Sequence, residues 1–322
     1  MSTTPEIPIP RKSETEILAA AITKASSKQT YYTFRWLVDR PLVADAYRAY
    51  AYFRWVDDAL DGDVGTSVER RAFLERQEDL LEACYAGQAP GDACPEERML
   101  VDLVAHDHAA NSGLQVYLRN MMAVMRFDMK RRGRTISRLE LAEYTRLLAT
   151  AVTEVLHYFI GHNCELPCRE RRYLAVQGAH VVHMLRDAVE DAQAGYFNVA
   201  GEYVEAHNLP LMNLDHPAYR KWVYNRVQLA HLYFDLGEQY LAQVKNLRCR
   251  LAGAAYVARF KYVLRLIEQD DYRLRAAYPE RKSLRAGLWM AWTTLSTLFA
   301  WRKPGMTLPQ TAPRVFRLDG QR

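Results

Sequence analysis

Apolar residues recur at helical spacing along almost the whole chain, and strand-like alternation is nearly absent. The pattern predicts a first helix over Glu14 to Lys28, preceded by a mobile tail. Pro41 fits the first turn of a helix running through Val43 to Leu60, which Gly62 and Gly65 end. Another helix opens at Ser67 and runs to about Ala86, and the Gly- and Pro-containing stretch Gly87 to Pro95 reads as a loop. Helices are then expected over 96–110, 112–130, 138–162, 169–194, 216–245, 252–277 and 283–300. Ser137 is placed to cap the helix that begins near Leu139, and Gly133, Pro167 and Gly195 punctuate the pattern. The expectation is an all-α fold, a single domain of eight or more helices around a central cavity. That domain spans 26–300, with the tail and the start of the first helix in 1–25 and an irregular tail over 301–322.

Composition narrows the function classes. At 322 residues, 49% apolar and 25% charged, the chain can bury a sizeable core. A net charge of +5 suits anionic small molecules or an anionic membrane surface and does not call for nucleic acid. No basic block with interleaved aromatics tracks a single strand, and the run Lys130, Arg131, Arg132, Arg134 reads as a solvated loop face, with phosphate binding as the alternative. Five cysteines are few and odd in number; Cys164 and Cys168 have no second pair, which argues against zinc. Free thiols and the lack of a basic-then-apolar leader point to the cytoplasm. The segment 286–301 carries sixteen uncharged residues, short of the roughly 20 that span a bilayer. It reads as a buried helix, with Trp289, Trp292 and Trp301 leaving contact with a membrane surface open.

Two acidic clusters of one shape change the picture: Asp57-Asp58-Ala59-Leu60-Asp61 and Asp187-Ala188-Val189-Glu190-Asp191. On a helix, residues four apart share a face, so each Asp-x-x-x-Asp sets two carboxylates one turn apart, where they repel unless a cation intervenes. Two such pairs facing each other make an oxygen-rich site of the kind Mg²⁺ accepts with diphosphate. Tyr50, Arg54, Asp57 and Asp61 form one helical stripe, which is either a phosphate-and-metal face or a surface ion-pair ladder from Arg54 to Asp57 and Asp58. His180, His183, Asp187 and Asp191 form a second stripe, beside Arg186, on an otherwise apolar helix where an unpaired Asp187 would be costly. An EF-hand starting at Asp57 is excluded by Ala59 and Val68 at its third and twelfth positions. Tyr31, Tyr32, Phe34, Tyr47, Tyr52, Phe53, Tyr158 and Phe159 are either core aromatics or cation-stabilising faces.

Tyr50 to Asp61, an aromatic–Arg–x–x–Asp-Asp–x–x–Asp helix, resembles the first signature of the squalene/phytoene synthases. Leu185 to Asp191, followed by Gly195, resembles the second. Ser27 to Tyr31, Asp128, Glu140-Leu141 with Tyr144, and Ile267-Glu268 with Tyr272 are similar to lesser segments, so the resemblance covers about 27–285. It implies the isoprenoid synthase fold, with Asp57, Asp61, Asp187 and Asp191 holding two or three Mg²⁺ ions. Arg54 and Arg186 would bind diphosphate, and Tyr50 and Tyr144 would lie near the reacting carbons. Tyr31, Leu148, Val152 and His183 would also contact substrate. The implied reaction joins two prenyl diphosphates, farnesyl or geranylgeranyl, head to head through a cyclopropylcarbinyl diphosphate. A requirement for NADPH is not indicated and stays open, as do a single-substrate terpene synthase and a non-catalytic helical partner. The chain departs from the family pattern at His183 (Asn expected), His180 (Gln), Ser26 (His), Phe260 (Tyr) and Ala277 (Arg), and in the glycine-free run Ala149 to Thr153.

Overall fold

The computed structural model describes residues 13–62, 65–162 and 171–300. The expected tails at 1–12 and 301–322, and Cys164, Pro167 and Cys168, lie outside them. Among the described residues there are thirteen α-helices and no strand, with an isolated bridge between Ile136 and Ala200.

The first expected helix is two, α1 (Glu14–Ser26) and α2 (Lys28–Leu37). Ser27 turns extended at φ −152°, bonds its N–H back to Thr23, and accepts from the Thr30 N–H at 3.2 Å through its own hydroxyl. One residue thus closes α1 and caps α2. Helix α2 buries no residue completely, because its inner face borders a cavity rather than core, and this is why its apolar pattern is faint.

Helices α3 (Val43–Asp61), α4 (Ser67–Tyr85), α5 (Pro95–Ala105), α6 (Gly113–Arg131) and α7 (Arg138–Phe159) follow the sequence pattern closely. Reciprocal capping boxes start α4, at Thr66 and Glu69, and α7, at Ser137 and Glu140. The helix expected over 169–194 is instead α8 (Leu174–Arg186) and α9 (Ala188–Gln193), kinked at Asp187 with φ −98° and ψ 4°. The short α10 (Gly201–Ala206) was not signalled by any apolar periodicity. Then come α11 (Pro217–Leu241), α12 (Leu247–Gln269) and α13 (Leu284–Ala300). α12 begins earlier than expected because the Asn246 side chain accepts from the Cys249 N–H at 3.0 Å. It stops short of 277 because Asp271 and Tyr272 adopt φ of 53° and 62°.

Helices α1 to α7 enclose one apolar cluster, and α8, α11, α12 and α13 form another. The two halves join where α7 packs on α8 and α12 on α2. Beneath α1, Arg48 of α3 is buried with Asp45; it donates to Asp45 at 2.7 Å, to Thr15 at 3.1 Å and to Ser13 at 2.7 Å. Thr15 in turn donates to Asp102 of α5 at 2.5 Å. No described helix is long and apolar enough to cross a membrane.

α8 and α11 approach so closely that a Cβ on Gly237 would stand 2.6 Å from the Ala175 backbone nitrogen. Gly237→Ala must push two packed helices apart. Urea denaturation should show a loss of about 2 kcal/mol or more, and an unchanged midpoint would mean the helices part freely.

Candidate active site

On α3, Arg54 donates to Asp58 through Nε at 3.1 Å and reaches Asp57 at 3.5 Å. The ion-pair ladder is therefore formed, and the guanidinium is engaged rather than free. Asp57 and Asp61 turn into an acidic pocket of about 260 Å³ shared with Asp128, Arg70, Arg132 and Tyr196. The Tyr196 hydroxyl donates to Asp61 at 3.4 Å.

The second motif straddles the kink between α8 and α9. Backbone bonds from Asp187 to His183 (3.0 Å) and from Asp191 to Asp187 (2.8 Å) run across it, so the helical spacing of the two carboxylates survives. Asp187 accepts from Arg186 at 2.6 and 2.5 Å and lies 2.8 Å from His183 Nε2. Asp191 accepts from Asn198 at 2.6 Å.

Arg131 stands between the two motifs. Its side chain is 7% exposed, and it donates to Asp128 at 2.6 Å and to Asn198 at 2.8 Å. It also lies over the rings of Tyr144 (4.9 Å) and Tyr196 (5.0 Å). Tyr144 donates to the other oxygen of Asp128 at 2.8 Å. A chain of bonds thus runs from Asp191 through Asn198 and Arg131 to Asp128. The supposed loop run therefore divides, with Arg131 buried while Arg134 pairs at the surface with Glu140. The backbone backs this arrangement, because Gly133 N–H donates to Gly195 C=O at 2.8 Å, and Gly195 holds φ at 87°, which favours glycine.

The electrostatics match the geometry. Burial, then Asp61, pushes Asp57 up to about 6, with Asp128 adding to it. Burial, opposed by Asn198 and reinforced by Asp187, raises Asp191 to about 6. Burial also acts on Asp187, but hydrogen bonds from Arg186 and His183 outweigh it and hold that carboxyl well below the usual range. Buried carboxylates crowded in this way favour an added cation, and an all-oxygen donor set suits a hard one. Among the described residues, no three His, Cys, Asp or Glu side chains are close enough to hold an ion by themselves. The donor set nonetheless fits a cation whose remaining ligands come from a bound anion.

An apolar cavity of about 320 Å³ lies alongside, walled by α2, α3, α6, α7 and α12. Phe34, Tyr50, Tyr117, Val152, Leu156 and Tyr256 line it, and Arg259 is its one charged wall residue. Tyr50 feels Arg54, Asp57 and Arg259 at once, so the cavity adjoins the first motif. Burial and then the nearby Arg186 lower both Arg259 and Arg281, which marks a crowd of guanidinium groups. The inner end of the cavity is closed by Leu156, Ile160, Ala252 and Tyr256. Behind these four lies a void of about 40 Å³, also bordered by Thr153, His157 and Arg172. There Thr153 Oγ1 and Arg172 Nε have no hydrogen-bond partner among the described residues.

The family described as squalene/phytoene synthase matches this sequence over residues 23–287. The chain belongs to the squalene/phytoene synthase family. Among solved structures, squalene synthase HpnC from Alicyclobacillus acidocaldarius shares 21% identity at a TM-score of 0.66, covering 81% of this chain and 95% of that one. A dehydrosqualene synthase in complex with ligand shares 18% identity at a TM-score of 0.67, covering 89% and 96%. These likenesses establish the all-α isoprenoid synthase fold. No curated protein matches.

Of the positions that the squalene/phytoene synthase resemblance suggested, Tyr50 and Val152 line the apolar cavity, and Asp57 and Asp61 line the acidic pocket. Tyr31 instead stacks on Tyr47 at 5.1 Å, and Leu148 packs against the core; neither is among the cavity-lining residues. His183 is spent on Asp187. His180 is buried edge-on to Tyr144 at 5.0 Å, and neither ring nitrogen has a hydrogen-bond partner among the described residues. Burial, helped by His183, Arg131 and Arg226, keeps it neutral by lowering its pKa far below the ordinary value. Sequence reasoning missed Tyr196, Asn198, Arg259 and Arg281, placed Arg131 only within a basic run, and gave Asp128 no role. The Asp128–Arg131 spacing of three was the one available signal; the others are brought in by loops and by a distant helix.

Asp57→Asn tests the crowding of charge. A carboxyl raised to about 6 when folded destabilises the metal-free fold above its unfolded value, an effect complete above pH 6 and fading as pH falls toward 4. The side chain is 41% exposed, so solvent screening leaves about 1 kcal/mol. Thermal melts in chelator should therefore show the Asp57→Asn variant more stable than wild type at pH 8 and indistinguishable near pH 4. The opposite sign at pH 8 would refute the crowding.

Proposed function

We propose that this squalene/phytoene synthase family member is a prenyltransferase that joins two prenyl diphosphates head to head. The observation that carries the reading is the adjacency, through Tyr50, of an apolar cavity holding Arg259 to a pocket where Asp57, Asp61 and Asp128 gather. One surface suits a hydrocarbon tail and the other an anionic head with its cations.

Arg186, Arg259 and Arg281 form the basic side, and their mutual repulsion is relieved when a diphosphate lies among them. Asp57, Asp61, Asp187 and Asp191 would hold Mg²⁺, which supplies positive charge against a leaving diphosphate. The first substrate's C–O bond breaks with its electron pair going to the diphosphate, leaving an allylic cation. The second substrate's double bond attacks that cation, and loss of a proton gives a cyclopropylcarbinyl diphosphate. Departure of the second diphosphate and rearrangement give a second allylic cation, which becomes the hydrocarbon by losing a proton or, with NADPH as the reductant, by accepting a hydride. The apolar walls keep water from the cations, and the faces of Tyr50, Tyr117 and Phe34 offer them electron density. Tyr144 is bonded to Asp128, so its role is to position that carboxylate and Arg131.

Purified protein incubated with farnesyl or geranylgeranyl diphosphate and Mg²⁺, with and without NADPH, should yield a product of doubled carbon number or the cyclopropyl diphosphate by mass spectrometry. Asp187→Asn should lower turnover at least about a hundredfold. Single-chain alcohols or cyclic terpenes alone would replace this reading with that of a terpene synthase, and absence of any turnover would favour a non-catalytic role.

The closed inner end of the cavity sets the length of chain accepted. Leu156→Ala opens it toward the 40 Å³ void. The ratio of kcat/KM for geranylgeranyl over farnesyl diphosphate should rise about tenfold. An unchanged ratio would place the length limit elsewhere.

A further inference from the structure

α13 has two unlike faces. Inward, Ala286 is fully buried and Trp289 packs on Tyr262 of α12 with ring centres 5.5 Å apart. Outward, Leu284, Leu288, Trp292 and Leu295 are 81%, 65%, 75% and 50% exposed. Their spacing of four, four and three puts them on a single helical stripe. The inward face already seats the helix on the core, so the outward stripe is not needed for folding.

The charge around this stripe has one sign. Lys282 and Arg285 precede or open the helix, and Arg302 and Lys303 follow it in sequence. No acidic residue occurs between Glu280 and Asp319, and Glu280 is bonded to Arg275 at 2.6 Å. A second copy of this chain docking here through a symmetric contact would bring the same patch against itself, cation against cation. The complementary partner is anionic at its rim and apolar beneath.

We propose that the outward face of α13 docks on the surface of an anionic lipid bilayer. The helix lies in the plane of the interface, with Leu284, Leu288, Trp292 and Leu295 sunk among the acyl chains and Lys282 and Arg285 among the headgroups. The exposed indole of Trp292 suits the headgroup boundary. The helix does not span the bilayer, in keeping with the absence of any described helix long and apolar enough to do so. α12 ties this surface to the cavity, since it packs against α13 and also supplies Ala252, Ala255, Tyr256 and Arg259 to the cavity wall.

The test uses the full chain and vesicle flotation, with phosphatidylcholine alone or mixed with phosphatidylglycerol. The protein should float with the anionic vesicles and far less with the neutral ones. Leu288→Ser with Trp292→Ser should abolish flotation. Lys282→Gln with Arg285→Gln, both exposed, should weaken it roughly 25-fold, from about 1 kcal/mol per cation near an anionic surface. Failure to float with anionic vesicles, equal flotation with both compositions, or undiminished flotation of the serine variant would overturn the proposal. So would a dimer in solution that the serine variant dissociates. Because none of these readouts involves turnover, the outcome is separate from that of the prenyltransferase reading.

Discussion

The arrangement of the site depends on one buried cation. Arg131 is enclosed between α6, α7 and the segment after α9, and without Asp128 and Asn198 its charge would be left in a medium that solvates it poorly. Each of its partners reaches toward one of the two acidic motifs. Asp128 shares a pocket with Asp57 and Asp61, and Asn198 holds Asp191. The guanidinium therefore fixes the separation of two carboxylate pairs that would otherwise repel each other. The backbone bond between Gly133 and Gly195 closes the same junction from the side.

Around this junction the charges are sorted. Carboxylates collect near α3, α6 and α9, and guanidinium groups crowd together at Arg186, Arg259 and Arg281, with Arg186 paired to Asp187. Aromatic and aliphatic walls lie beside both. Such separation is electrostatically costly in the free protein, and the raised carboxyls and lowered guanidines record that cost. A ligand that carries cations at one end, phosphate oxygens in the middle and hydrocarbon at the other relieves all of it together.

Much of this was legible in the sequence. Helical periodicity located α3 to α7 well, because their apolar faces bury against one core, and the two Asp-x-x-x-Asp clusters fell on the elements that carry them. Helix α2 was obscured because its inner face borders a cavity, and the kink at Asp187 left no mark because the spacing of the carboxylates persists through it. Arg131 read as solvated because a run of four basic residues looks uniform in one dimension, whereas the structure buries one member and exposes another. Arg259 sits in an ordinary amphipathic stretch of α12, and only the third dimension sets it opposite Tyr50.

The cluster of Arg48, Asp45, Thr15 and Asp102 beneath α1 carries a different consequence. Buried ion pairs contribute little net stability compared with apolar side chains of like volume. They are selective in direction, since each donor here meets an acceptor at one axial offset between α1, α3 and α5. An apolar seam of alanines such as Ala19 and Ala46 would let α1 slide by a turn along α3 with little penalty. The polar cluster forbids that slip. Because the single residue Ser27 joins α2 to α1, the same cluster dictates which residues of α2 face the cavity, so the registry of a remote polar contact reaches the shape of the hydrocarbon chamber.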